Sequence, residues 1–230
     1  EMLFIRDMLL VFTLFKRIYK FTLNFCTSWY LYNMMQDFWE DLLAKDRALF
    51  SMINGKWTGA SFDAIMPWVR TSNNWVPLYI VLLGFIIYKW KQHAWRWIVL
   101  VALNVGLTDQ ISSHFFKPFF QRLRPCADPE FINQSRLLLA HCSGGFSFTS
   151  SHAANHFGIA VFILMTLQPL FKNYRYLFLA WAAIIAYAQV YVGVHYPLDI
   201  LGGACIGILV GYFNGKLFLY WQQKSLSNLS

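Results

Sequence analysis

Polar and apolar positions fall into long blocks along this chain. Five apolar runs stand out, at residues 76–88, 97–116, 153–171, 176–191 and 196–220. Trp75 and Lys89 flank the first, and Lys172 and Arg175 close the third. Runs of this kind predict helices in a bilayer. Several are shorter than the ~20 residues a crossing needs, so interfacial Trp and Tyr must extend them. The last run carries Gly203, Gly207 and Gly211, a spacing that lines one helix face with small residues and permits close helix contact.

Residues 37–53 follow a different pattern. Phe38, Trp39, Leu42, Leu43, Leu49, Phe50 and Ile53 recur at three and four, while Glu40, Asp41, Lys45 and Arg47 take the other face. This predicts an amphipathic helix, too polar to span, lying at the interface and ended by Asn54 and Gly55. Further upstream, residues 2–15 are apolar but broken by Arg6 and Asp7. Lys16, Arg17 and Lys20 follow, then a second apolar stretch over 21–35. No small-residue cleavage site is visible, so the reading is one transmembrane helix with its N-terminus inside rather than a signal peptide. A start at Met34 or Met35, with the upstream part dispensable, is the rival. Three regions result: 1–34, an apolar segment and candidate extra transmembrane helix; 35–56, the interfacial helix; 57–224, the membrane core. The predicted fold is an all-α integral membrane protein. It has a bundle of about six transmembrane helices, an interfacial amphipathic helix and an outward-facing site.

Composition agrees with a membrane setting. Of 230 residues, 57% are hydrophobic and 13% charged, against about 25% charged in soluble domains. The formal charge is +8. Lys89, Lys91, Arg96, Lys172, Arg175, Lys216 and Lys224 fall on one side of the arrangement, which the positive-inside rule makes cytoplasmic. Residues 117–152 and 195–199 then face outward. Arg122, Arg124 and Arg136 are on that outer side too, against the rule, and anion binding is one reason for them to be there. Nucleic acid is a poor partner for a chain with no polar domain to carry a basic face. Cys26 and Cys205 lie in apolar stretches, and no C-x-x-C spacing suggests structural zinc. Cys126 and Cys142 bracket the outward loop, where an oxidising face allows them to pair.

Three stretches carry candidate chemistry. Residues 117–125 set Lys117 and Arg124 at a helix end, with Pro125 forcing the exit; taken alone this is ordinary interfacial anchoring. Residues 149–152 open the third run, where Ser150, Ser151 and the free N–H groups of a helix start suit an anion, although either serine also serves as a plain N-cap. Residues 189–199 offer His195 and Asp199, four apart, so that a carboxylate can hold one ring nitrogen and leave the other free. His152 and His156 are also four apart but lack the glutamate of H-E-x-x-H, so no metal pair is expected. Asp109 lies inside a run, with Lys117 as its expected partner through a residue such as Ser113.

In this order and spacing the three stretches resemble the type 2 phosphatidic acid phosphatase family. The first motif is complete in Lys117, Arg124 and Pro125. The second keeps Ser150 and His152 but has Thr149 for Pro and Ser151 for Gly. The third keeps His195 and Asp199 but has Ala188 and Gln189 where the family has Ser and Arg. The resemblance implies a nucleophilic His195 that forms a phosphohistidine, with Asp199 holding it. It makes His152 the acid and then the base, and Lys117, Arg124, Ser150, the Ser151 backbone and Gln189 the phosphate contacts. It implies no metal and no other cofactor. Gln189 donates hydrogen bonds without charge, and Arg122 is the candidate to replace the lost cation. The implied activity is hydrolysis of a lipid phosphate at the outer face of a bacterial inner membrane. An undecaprenyl diphosphate is the first substrate expected, then phosphatidylglycerol phosphate, phosphatidate or a lipid A phosphate. A lipid-to-lipid phosphotransferase and a non-catalytic lipid-phosphate binder or transporter are the alternatives. The sequence carries no signal of oligomeric state.

A Cys126–Cys142 bridge would close a loop of about 15 residues, worth roughly 3 kcal/mol in the chain-entropy model. Intact mass of the purified protein should rise by about two daltons on reduction. Two thiols alkylatable from the start would remove the bridge.

Overall fold

A computed structural model describes residues 25–227 of the chain. Most of the N-terminal segment read as an extra transmembrane helix therefore lies outside the described residues. The first helix, α1, spans Phe25–Ser51, beginning well before residue 37, and runs into a π-helical turn, Met52–Lys56. α2 follows at Ala60–Arg70. α3, Val76–Trp90, opens with Pro77, whose missing N–H costs nothing at a helix start. α4, Ala94–Asp109, continues through a π-helical stretch, Gln110–Phe116, into a last turn, Lys117–Phe120. α5 is Ser151–Thr166, α6 Leu177–Tyr191 and α7 Pro197–Ser227. No strand occurs among the described residues. Each of the five apolar runs is the core of one of the helices α3 to α7.

Length limits what each helix can do in a bilayer. A 16-residue helix rises about 24 Å, short of the ~30 Å hydrocarbon core. By length and composition one helix, Pro197–Lys224, can cross alone, and up to three spans result if each bent pair counts as one.

The bundle is built on α7 and α5, the helix pair in most extensive contact. Sequence explains the closeness. A Cβ on Gly207 would meet the Ala154 carbonyl oxygen and lie 2.8 Å from the Gly158 nitrogen, and one on Gly211 would lie 2.5 Å from the Gly158 oxygen. The three-glycine face of α7 thus rests on bare backbone of α5. This contact fixes the start of α7 beside the start of α5, so residues 150–152 and 195–199 share one end of the molecule.

Two apolar clusters flank that seam. One gathers Phe50, Ile53, Met66, Val69, Tyr191 and Tyr196 at the site end. The other packs Ile86, Trp97, Leu100, Phe162, Leu167 and Phe218 at the opposite end. The long connection from residue 121 to 150 lies over the first cluster. It is tied by the bonded sulfurs of Cys126 and Cys142, with Cα atoms 5.8 Å apart, and by Asn54. The buried Asn54 amide donates to the carbonyls of Arg136 and Tyr191 at 2.8 and 2.7 Å and accepts from the Arg136 N–H at 2.7 Å.

Gly207→Ala should destabilise the protein by about 1–3 kcal/mol, because the added methyl meets backbone that cannot rotate away. Gly106→Ala, whose methyl would meet nothing within 4 Å, should be neutral or stabilising by up to ~1 kcal/mol. Thermal unfolding in detergent reads both.

Candidate active site

His195 stands in the turn between α6 and α7, and Asp199 in the first turn of α7; both are buried. His195 Nδ1 lies 3.5 Å from Asp199 Oδ2. Ser147 sits against both: its Oγ is 3.3 Å from Nδ1 and donates to Oδ2 at 2.5 Å. On the far edge of the ring, Arg124 Nη1 is 3.1 Å from Nε2. A guanidinium only donates, so Nε2 accepts and the ring proton belongs on Nδ1, towards Ser147 and Asp199. Burial pushes the imidazole pKa down to about 4, against the upward pull of Asp199, and the ring is neutral at pH 7.

Asp199 is held from several directions. Oδ1 accepts from Arg122 Nη1 at 2.8 Å, and Oδ2 accepts from the Tyr196 N–H at 2.8 Å. Its backbone carbonyl accepts from the Ser150 N–H at 3.0 Å, a direct link between the second and third motifs. Arg122 is sandwiched: Nη2 donates to Asp46 Oδ2 at 2.5 Å, and the guanidinium lies 4.1 Å above the Tyr196 ring. Asp46 Oδ1 also accepts from the Leu198 N–H at 2.8 Å, capping α7 from α1. Arg122 therefore braces Asp199 from behind and is not the replacement cation beside Gln189. Arg136 is paired too, with Asp63 at 2.7 Å. Of these three arginines, two meet carboxylates, and Arg124 alone reaches His195.

Arg124 is itself clamped in place. Nη1 donates to the Val194 carbonyl at 3.0 Å, Nε to Gly145 at 3.2 Å and Nη2 to Gly144 at 3.3 Å. Lys117, half-buried in the last turn of α4, has Arg124, Asp109 and Asp199 as its charged neighbours. Ser113 donates to Asp109 at 3.2 Å.

At the start of α5, Ser150 is the N-cap, its Oγ accepting from the Ala153 N–H at 3.4 Å. The Ser151 hydroxyl is engaged by Ser112 and Ser113 at 3.0 and 2.9 Å, a contact the π-helical stretch of α4 makes by turning both serines to one side. His152 lies in electrostatic range of Arg70, His156, His195 and Lys117. His156 is a packed interhelical residue. Its Nδ1 donates to the His152 carbonyl at 2.7 Å, and its Nε2 accepts from the Tyr79 hydroxyl at 3.2 Å. Gln189 is fully buried, and its amide faces Arg70: Arg70 Nε donates to Oε1 at 3.1 Å and Nε2 donates to the Arg70 carbonyl at 3.5 Å. No group of three or more His, Cys, Asp and Glu side chains that could hold a metal ion occurs among the described residues.

Three residues at this site went unremarked in the sequence: Ser147, Asp46 and Arg70. Ser147 falls in a Gly-Ser-rich loop and Asp46 in an amphipathic helix where acids are routine. Arg70, at the end of a short helix, looks like any helix-terminal arginine. No periodicity marks them.

The fold is that of a known class. A solved transmembrane PAP2-type phosphatidylglycerolphosphate phosphatase from Bacillus subtilis superposes with a TM-score of 0.57 at 22% identity, covering 80% of this chain and 87% of that one. The model of the PAP2 superfamily matches residues 93–226. The lipid A 4'-phosphatase of Porphyromonas gingivalis is 34% identical over 190 residues, 81% of this chain and 78% of that protein. The lipid A 4'-phosphatase of Bacteroides thetaiotaomicron is 34% identical over 160 residues, 67% of each. The chain belongs to the PAP2 superfamily, and it is an integral membrane phosphatase.

Asp46→Ala should cost about 3–5 kcal/mol, because it leaves Arg122 buried with half its counter-charge. Thermal unfolding should fall accordingly. An unchanged midpoint would mean that the Asp46–Arg122 contact carries no weight.

Proposed function

We propose that this phosphatase hydrolyses the 4'-phosphate of lipid A through a phosphohistidine on His195. The observation that carries the chemistry is the opposed use of the two His195 nitrogens. Nδ1 is occupied by Ser147 and Asp199, while Nε2 faces Arg124. Nε2 attacks phosphorus in line, and the bond from phosphorus to the sugar oxygen breaks. His152 gives that oxygen its proton. His152 then takes a proton from water, the water oxygen attacks phosphorus, and the N–P bond breaks to release inorganic phosphate and restore His195. One group can serve as acid and then as base. Lys117, Arg124 and the N–H groups at the start of α5 balance the charge on the phosphoryl oxygens. Phosphoryl transfer asks mainly for positioning and charge stabilisation, so this cradle supports a metal-free route.

The substrate reading rests on two relatives, each 34% identical and each named a lipid A 4'-phosphatase. It moves lipid A ahead of undecaprenyl diphosphate, phosphatidylglycerol phosphate and phosphatidate. A lipid is further supported by the phenylalanines around Lys117. Phe115, Phe116, Phe119, Phe120 and Phe148 pack ring against ring, mostly edge-on, and Phe115 is 63% exposed. That surface suits acyl chains beside the cations.

The architecture proposed around this site has about six spans. Residues 35–56 lie at the interface, residues 57–224 form the core, and the site opens at the outer face of a bacterial inner membrane. Support for the side comes from the Cys126–Cys142 pair on the site's own loop. Lys89, Lys91, Lys172 and Arg175 lie at the other ends of the helices.

Phosphate release should be measured from lipid A 4'-phosphate, undecaprenyl diphosphate, phosphatidylglycerol phosphate and phosphatidate, with EDTA present. Lipid A 4'-phosphate should turn over fastest, and His195→Ala should lose at least about a thousandfold. Activity abolished by EDTA, or retained by His195→Ala, would overturn the mechanism. A different lipid at the head of the ranking would overturn the substrate alone.

A further inference from the structure

Position 189, where the family carries a phosphate-binding arginine, holds glutamine in this chain. Gln189 is fully buried on α6, and both ends of its amide are occupied by Arg70, the last residue of α2. The contact joins residues 119 positions apart. Its form is informative. Gln189 Oε1 takes the Nε–H, and Gln189 Nε2 reaches the Arg70 carbonyl. The glutamine thus holds the stem and backbone of the arginine, while the two terminal nitrogens of the guanidinium extend beyond it.

Arg70 also lies within electrostatic range of the site. His152 is within electrostatic range of Arg70, as it is of His156, His195 and Lys117. Arg70 acts on Arg124 as well. No acidic group among the described residues balances it. Arg122 and Arg136, by contrast, each sit against carboxylates. A half-buried cation near a second arginine and a histidine is unfavourable unless an anion occupies the space between them.

We infer that Arg70 binds the substrate phosphoryl group and that Gln189 is the positioning residue that aims it. The charge has moved from α6 to α2, and the glutamine is its bracket rather than a weakened ligand. A planar guanidinium fixed at Nε keeps its Nη pair free for a bidentate grip on two phosphoryl oxygens. Arg70 lies outside residues 93–226, the part that matches the family model, so α2 becomes part of the active site. This inference rests on the phosphatase reading of His195 and His152.

The test exchanges the two side chains. Arg70→Gln should lower kcat/KM for lipid A 4'-phosphate about a hundredfold. It should also weaken competitive inhibition by inorganic phosphate at least tenfold, a readout that packing alone would not move. The double variant Arg70→Gln/Gln189→Arg, which returns a guanidinium to the site from α6, should recover phosphate inhibition and most of the rate. Should the single variant fail to fold, the double variant decides. Wild-type phosphate inhibition in Arg70→Gln, or a double variant that folds and binds phosphate no better than the single one, overturns the inference. With His195→Ala inactive in the same assay, either result overturns the role of Arg70 alone. An active His195→Ala would instead remove the phosphatase mechanism beneath it.

Discussion

One buried carboxylate organises this molecule. Asp199 has no exposed surface, yet it receives Arg122, Ser147 and the Tyr196 N–H, faces the His195 ring, and offers its own carbonyl to Ser150. An ionised carboxylate in such a position is tolerable only because each oxygen has a donor and a guanidinium lies beside it. The donors come from both ends of the long connection and from the turn between α6 and α7, so satisfying Asp199 and assembling the site are the same event. The glycine face of α7 makes this geometry accessible, since it lets the start of α5 approach within backbone contact.

The arginines divide by partner rather than by position in sequence. Arg122 joins Asp199 to Asp46 and so ties α1 to the site, while Arg136 holds the long loop to α2 through Asp63. Both are structural charges. Arg124, anchored on the carbonyls of Gly144, Gly145 and Val194, is directed at His195. A cluster of basic residues in one loop is therefore a weaker sign of anion binding than it looks, because Arg122 and Arg136 are neutralised inside the protein. The cation that does extend the site, Arg70, is supplied by a helix whose charge drew no notice.

Much of the fold was legible before any coordinates. Apolar runs of 13 to 25 residues can bury themselves only as helices, and α3 to α7 lie over the five that the pattern marks. The first described helix was legible as a type but not in extent: periodicity begins at Phe38, whereas α1 already includes Phe25. The family was legible as well, since Lys117, Arg124, Ser150, His152, His195 and Asp199 keep its spacing. The immediate environment of those residues was not. Ser151 reads as a backbone contact with a spare hydroxyl, and the π-helical stretch of α4 gives that hydroxyl to Ser112 and Ser113. Helical phase at a π-turn shifts by a fraction of a turn, which residue spacing does not encode.

The sequence by itself determined the helical elements, the membrane setting and the superfamily, because hydropathy and motif spacing are local properties of the chain. The tertiary structure alone decided which charge meets which. Asp46 and Arg122 are 76 positions apart, Arg122 and Asp199 77, and Arg70 and Gln189 119. Electrostatic and hydrogen-bond energies fall off steeply with distance through space. Distance along the chain carries no information about them until α1, α2 and the long loop are packed onto the α5–α7 seam.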